Sequence, residues 1–117
     1  RRPPRLTLFP YTTLFRSDVK LLDGPFKQAM DHNAAWLKSL EPDRLLARFR
    51  KEAGLEPKGA IYGGWEKGKG SGHSLGHYLS ACSMQYAATG DLEIKNRVDY
   101  IIDELAICQE ANKDGYL

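Results

Sequence analysis

The carboxyl-terminal part of the chain alternates apolar and polar residues at the spacing of two consecutive helices. The second helix, predicted over residues 92–111, has a single apolar stripe, formed by Ile94, Val98, Ile101, Ile102, Leu105 and Cys108. Its charged residues are expected on the other faces: Lys95, Arg97, Asp99, Asp103 and Glu104. Glu93 and Arg97 are spaced to form an ion pair one turn apart. A helix with one apolar face covers a core from the outside.

The first helix of this pair, predicted over residues 73–89, is apolar on nearly every side. One side is expected to bury Leu75, Leu79, Cys82 and Tyr86, and the other carries His77, Ala81, Met84 and Ala88. Gly90 is placed to end this helix, and Asp91 to cap the next one. An inner helix followed by an outer helix predicts a two-layer arrangement of helical hairpins.

Two shorter helices are predicted upstream. The first begins at the turn Asp23-Gly24-Pro25 and carries apolar residues at helical spacing: Phe26, Met30, Ala34, Leu37 and Leu40. The second follows Pro42 and has a short stripe of Leu45, Leu46, Phe49 and Ala53, with Gly54 at the position of a carboxyl-terminal cap. No strand pattern occurs after residue 17, so we predict an all-α fold.

Residues 1–17 differ in composition from the rest. They contain four arginines, three prolines and no acidic residue, and they match neither a signal peptide nor a transit peptide. We interpret 1–17 as an artefactual or disordered leader and 18–117 as the folded part; a basic binding arm is the alternative.

Composition excludes several classes of protein. Of the 117 residues, 42% are hydrophobic, and no apolar run reaches the roughly 20 residues that span a bilayer. The net charge of +2 comes from the leader, because thirteen basic and fifteen acidic residues remain without it. This balance lacks the excess of basic residues that is typical of nucleic-acid-binding proteins. Cys82 and Cys108 would lie about 15 Å apart along antiparallel helices, so we expect two buried thiols and no disulfide.

A glycine-dense loop lies directly before the inner helix. The loop and the start of that helix contain the residues that could bind a ligand or take part in a reaction. Six glycines fall between Gly59 and Gly72, and a phosphate-binding GxxxxGK[ST] pattern is absent. Long loops of this kind are more often functional than structural. The stretch from Ile61 to Leu79 therefore marks the candidate site.

His73 and His77 stand four residues apart and therefore share one helical face. This spacing suits two metal ligands, but residue 74 is Ser, without the Glu of zinc-peptidase helices, and no third ligand is evident. One alternative is hydrogen bonding to a polar ligand in a pocket. The other is one exposed histidine and one satisfied by hydrogen bonds within the protein.

Trp65 and Glu66 follow two glycines that would allow a ligand to approach the backbone closely. A tryptophan ring offers a flat apolar face to a sugar, and a glutamate accepts hydrogen bonds from hydroxyls. The alternatives are a hydrophobic plug for Trp65 and a helix cap or ion-pair partner for Glu66. Glycoside hydrolysis usually requires two carboxyl groups, and this loop supplies one.

Several blocks of sequence, in order, resemble the start of the β-L-arabinofuranosidase family, glycoside hydrolase family 127 and its relative family 146. These blocks are LLDGPF (21–26), DRLLARFRKEAGLEPK (43–58), GGWE (63–66), GHSLGHYLSA (72–81), YAATGD (86–91) and DGYL (114–117). The resemblance implies an (α/α)6 toroid followed by β-sandwich domains. Residues 18–117 would then be the amino-terminal part of an (α/α)6 glycoside hydrolase catalytic domain, an incomplete toroid fragment made of helical hairpins.

The resemblance also implies a retaining hydrolase whose cysteine nucleophile sits in a zinc site with other cysteines and a glutamate. A second glutamate would be the general acid/base. These residues belong to motifs further along the family sequence, and neither Cys82 nor Cys108 matches them, so we assign no catalytic residue and no metal ligand here. Trp65, Glu66, His73 and His77 match early motifs and are expected to line the substrate-binding end of the pocket.

The primary hypothesis is a fragment of a glycoside hydrolase that releases L-arabinofuranose from β-linked plant glycans. The fragment alone would be inactive, with a carbohydrate substrate and the remainder of its own domain as partners, and without nucleic-acid or membrane partners. A non-catalytic helical module that binds a glycan or a protein is the second hypothesis. A helical domain that binds metal through His73 and His77 is the third.

Overall fold

The computed structural model describes residues 19–68, 72–113 and 115–117, and of Trp65 it describes the backbone alone. The described chain consists of four α-helices and one 3-10 turn, with no strand. The helices are α1 (Pro25–Ser39), α2 (Pro42–Glu52), α3 (His73–Thr89) and α4 (Leu92–Ala111), and the 3-10 turn is Gly64–Lys67. The all-α prediction is confirmed, and the architecture agrees with an incomplete helical toroid. The predicted leader lies outside the described residues.

The ends of the helices follow from local sequence. Proline occupies the first turn of both α1 and α2, where its missing N–H is not needed. Gly54, at φ +72°, ends α2: its N–H donates to the Lys51 carbonyl, and the Leu55 N–H donates to the Arg50 carbonyl at 2.8 Å. This is the Schellman arrangement that the position of Gly54 predicted.

The hairpin of α3 and α4 also has the predicted ends. Gly90 adopts φ +70° and donates its N–H to the Tyr86 carbonyl at 2.7 Å. Asp91 then caps α4 by accepting from the N–H groups of Glu93 and Ile94, at 3.0 and 3.4 Å. The reversal of the chain is therefore encoded in two adjacent residues.

The core lies where α3 packs on α4 and where α1 and α2 close over it. Its buried members come from all four helices: Leu37, Leu45, Leu46, Leu75, Tyr78, Cys82, Ile94 and Ile101. Cys82 and Cys108 are both buried and unbonded to each other, as expected. Burial raises the pKa of each thiol, so both stay protonated near neutral pH.

The structure corrects the predicted faces of α3 and α4. In α3 the fully buried positions include Tyr78 and Gln85, whereas the predicted Leu79 and Tyr86 are only half-buried. In α4 the predicted core residue Ile102 is 51% exposed, and Glu104, expected in solvent, is buried. Glu104 is tolerated there because Arg50 and Lys58 both contact its carboxylate at 2.6 Å.

None of the helices in the described part of the chain is long and apolar enough to span a lipid bilayer.

Candidate functional site

An open groove of about 610 Å³ runs between α1 and α3. Its walls come from α1, the start of α2 and one face of α3: Trp36, Leu37, Leu40, Leu45, His73, Ser74, His77, Tyr78 and Ala81. The lining is mainly apolar, with a few polar groups on the α3 side. This composition is typical of sites for small organic ligands.

The two histidines lie together on the α3 wall of the groove, as their spacing predicted. Both are exposed, and their ring centroids are 6.3 Å apart with the ring planes at 85°. In the described residues, no group of three or more His, Cys, Asp or Glu side chains comes close enough to hold a metal ion. The two imidazoles therefore lie close enough together to contact one ligand in the groove.

Trp36 faces the histidines from α1 and was not among the predicted site residues. Its side chain is 59% exposed, although tryptophan is highly buried on average. The sequence did contain a signal, since Trp36 lies off the apolar stripe that includes Leu37. An exposed indole beside two imidazoles gives the groove a flat apolar surface opposite polar groups.

Tyr78 forms the floor of the groove and is the second residue that the sequence analysis missed. Its hydroxyl donates to the Leu37 carbonyl at 3.0 Å, near the carboxyl-terminal end of α1. Burial raises the pKa of Tyr78 to about 12, and the neighbouring Cys82 adds to the shift while Arg97 opposes it. Tyr78 therefore remains a neutral donor whose hydrogen bond connects α3 to α1.

Arg97 and Lys38 connect the carboxyl-terminal end of α1 to the start of α4. Arg97 donates to the Leu40 carbonyl at 2.9 Å, and Lys38 contacts the carboxylates of Asp91 and Glu93 at 2.8 and 2.9 Å. The Glu93–Arg97 pair is present at 3.5 Å, as predicted. The walls of the groove are thus connected to the start of α4.

Glu66 lies at the edge of the site, buried under the start of α3. Its Oε2 atom accepts a hydrogen bond from the Gly72 N–H at 3.1 Å. Burial alone would raise the pKa of this carboxyl. Hydrogen bonds from Ser74 and the Gly72 N–H, together with the His73 charge, outweigh burial and hold the pKa below its usual value. Glu66 is therefore an ionised carboxylate attached to the first turn of the helix.

Of the four predicted substrate-binding residues, the structure brings His73 and His77 into the groove. It places Glu66 behind the first turn of α3, outside the groove lining. Trp65 belongs to the 3-10 turn, and its side chain lies outside the described part of the structure. Among the described residues, those that line the groove include neither a carboxylate nor a cysteine.

The family of the chain is shown by comparison with models of protein families. The model described as β-L-arabinofuranosidase, glycoside hydrolase family 127 catalytic domain, matches residues 18–117. No curated protein matches the chain. The match spans most of the sequence and confirms the resemblance carried by its motifs. The chain therefore belongs to the β-L-arabinofuranosidase family, glycoside hydrolase family 127.

Proposed function

We propose that the complete protein carrying this segment releases L-arabinofuranose from β-linked plant glycans. Membership of the glycoside hydrolase family supports hydrolysis of a carbohydrate. The groove between α1 and α3 is the observation that carries the proposal for this segment. Its indole and two imidazoles are suited to the apolar face and the hydroxyls of a sugar.

In this proposal His73 and His77 bind sugar hydroxyls, and Trp36 lies against the apolar face of the ring. Trp65 follows the glycines of the loop and is proposed to complete the rim. The exposure of both histidines and their position in the lining of the groove support direct contact with a ligand. A pentose has about ten non-hydrogen atoms, and a groove of about 610 Å³ is within the usual range of ligand sites.

The segment alone is proposed to be inactive. Glycoside hydrolysis requires an acid and a nucleophile or base on either side of the bond, and the groove-lining residues that the structure describes supply neither a carboxylate nor a cysteine. Cys82 and Cys108 are unsuited to the nucleophile's role because burial keeps both thiols protonated. The reacting groups would come from other parts of the complete protein.

Zinc is proposed for the complete protein on the basis of its family. The described residues do not fit such a site, since no group of three or more metal-ligating side chains comes together. The two cysteines belong to different helices and have different neighbours: Tyr78 and Arg97 for Cys82, Arg50 and Glu104 for Cys108. Residues outside the described segment would have to hold the metal.

The test is hydrolysis of nitrophenyl β-L-arabinofuranoside by the complete protein, with the α-L-arabinofuranoside as the matched control substrate. We expect release of nitrophenol from the β anomer and at least tenfold less from the α anomer, about 1.4 kcal/mol of discrimination. A protein that binds the glycoside without cleaving it would instead be a non-catalytic glycan-binding module. The absence of both binding and cleavage would exclude both functions.

A further inference from the structure

Glu66 combines features that a simple helix cap does not require. Glu66 is 6% exposed, and its Oε2 atom accepts a hydrogen bond from the Gly72 N–H at 3.1 Å, with Ser74 as a further hydrogen-bonding neighbour of the carboxylate. The second oxygen, Oε1, is buried and has no hydrogen-bond partner among the described residues. Burying a carboxylate oxygen without a partner costs free energy, and a serine or asparagine could cap a helix without that cost.

Gly72, which donates its N–H to Glu66, is also constrained by the ring of Phe49. Gly72 adopts φ +104°, and a Cβ atom there would lie 3.0 Å from Cζ of Phe49. Gly72 is therefore held between the Phe49 ring and the Glu66 carboxylate. His73 is the next residue, and His77 follows one turn later, so any displacement of Gly72 moves both imidazoles in the groove.

Among the described residues, the groups that interact with the carboxylate belong to the start of α3. They are the N–H of Gly72, the backbone and hydroxyl of Ser74, and the imidazole of His73. Of these, His73 and Ser74 also line the groove. The charge of Glu66 thus acts on the groove through residues that touch it, although Glu66 itself does not line it.

We propose that Glu66 is a positioning residue, whose carboxylate fixes the first turn of α3 and orients the His73 imidazole for the sugar. This inference rests on the proposed function and assigns Glu66 a role different from direct contact with substrate. The positioning role requires the negative charge of Glu66 as well as its hydrogen bond with Gly72. A purely structural cap would require the hydrogen bond alone.

The test compares Glu66→Gln, which keeps an acceptor for Gly72 and removes the charge, with Glu66→Ala, which removes both. Glu56→Gln is the matched control, because Glu56 is exposed and forms no ion pair with the described residues. Each variant of the complete protein is characterised by KM and kcat on nitrophenyl β-L-arabinofuranoside and by its melting temperature. The rate of deuterium exchange at Cε1 of each histidine is measured by mass spectrometry of peptides.

For Glu66→Gln we expect KM to rise about tenfold, an effect in the range that misplaced binding groups produce. The exchange rate at His73 changes, whereas that at His32 on α1 and the melting temperature stay as in the wild type. Glu66→Ala shows a larger rise in KM, and Glu56→Gln shows none.

Two results would overturn the proposal. Unchanged exchange at His73 with unchanged KM in Glu66→Gln would mean that the charge does not act on the groove. A fall in melting temperature with equal changes at His73 and His32 would mean that Glu66 is a structural residue. A wild-type protein that cleaves no β-L-arabinofuranoside would refute the proposed function alone, because histidine exchange still decides the positioning role.

Discussion

The carboxylate of Glu104 connects α2, α4 and the segment between α2 and the glycine loop. Arg50 of α2 and Lys58 of the segment both contact it at 2.6 Å, and only 7% of its side chain is exposed. The sequence pattern placed Glu104 on a solvent face because it is charged. Its spacing from Ile101 and Cys108 nevertheless puts it on the buried face of α4. Spacing alone could not reveal the two cations, because they come from distant parts of the chain.

Replacing Glu104 by Gln should destabilise the packing of α2 on α4 by roughly 3 to 5 kcal/mol, because Arg50 would be left buried without its counter-charge. The measurement is hydrogen exchange of the α4 amides in the complete protein. Glu110→Gln, at an exposed position of the same helix, is the control and should leave protection unchanged.

The contacts of Glu104 with Lys58 and Arg50 also predict how the stability of the α2–α4 packing changes with pH. The hydrogen bond from Lys58, aided by Arg50, lowers the pKa of Glu104 against the opposing effect of burial. Its stabilisation is therefore complete above the ordinary glutamate pKa of about 4.3 and is lost as pH falls through the lowered folded-state pKa. Wild-type α4 should lose protection at about pH 3 relative to about pH 7, and Glu104→Gln should lose less. An equal loss in both proteins would contradict this assignment.

Gly72, next to the site, has a backbone conformation and surroundings that disfavour any side chain. Gly72→Ala would place a Cβ atom 3.0 Å from Phe49 at φ +104°, and should cost about 1–3 kcal/mol. Gly63→Ala is the matched control, since no atom of the described residues beyond its chain neighbours lies within 4 Å of its Cβ position, and its φ is not positive. Melting of the two variants of the complete protein checks this, and equal melting temperatures would show that the constraint is absent.

At the scale of the elements, the helix ends were predictable and the rotation of α3 was not. Pro25, Pro42, Gly54, Gly90 and Asp91 each mark a boundary by a local mechanism, and the structure places the boundaries there. A helix that is apolar on nearly all sides has no single stripe to fix which face is buried. The burial of Tyr78 rather than Leu79 depends on its hydrogen bond to Leu37, a contact between residues far apart in sequence.

The hairpin of α3 and α4 should depend on the side chain of Asp91. Asp91→Ala removes the cap of α4 and one contact of Lys38 and should cost about 1 kcal/mol, whereas Asp91→Asn should retain most of the capping. Exchange rates of the Glu93 and Ile94 amides in the complete protein report the loss directly. Asp103→Ala, at an exposed position of α4, is the control. Protection in Asp91→Ala equal to that of the control would contradict the assignment.

At the scale of the whole molecule, α3 is covered on one side and exposed on the other. Its inner members Leu75, Tyr78 and Cys82 are buried, whereas His77 and Met84 on the opposite side are exposed. This division is what a helix on the inner wall of an incomplete toroid would show. The sequence predicted the two layers of helices but not the position of Trp36 in the wall of the groove. Trp36 reaches the groove only because α1 packs against α3, and this packing depends on contacts between residues far apart in sequence.

Residues 18–117 produced alone should therefore bind hydrophobic dyes and unfold without a cooperative transition. Large apolar side chains such as Trp36 (59% exposed), Ile102 (51%) and Met84 (42%) would remain in contact with water. Calorimetry and dye fluorescence test this, with the complete protein as the control. A sharp cooperative melt of a monomeric segment would contradict it.

The central claim is that the groove between α1 and α3 binds the sugar, and its most direct test is the KM of His77→Ala in the complete protein. His32→Ala, an exposed histidine of α1 outside the groove, is the matched control. We predict a KM for nitrophenyl β-L-arabinofuranoside that rises about tenfold in His77→Ala, the loss of one hydrogen bond to substrate, and stays unchanged in His32→Ala. Equal KM values for wild type and His77→Ala would contradict the account.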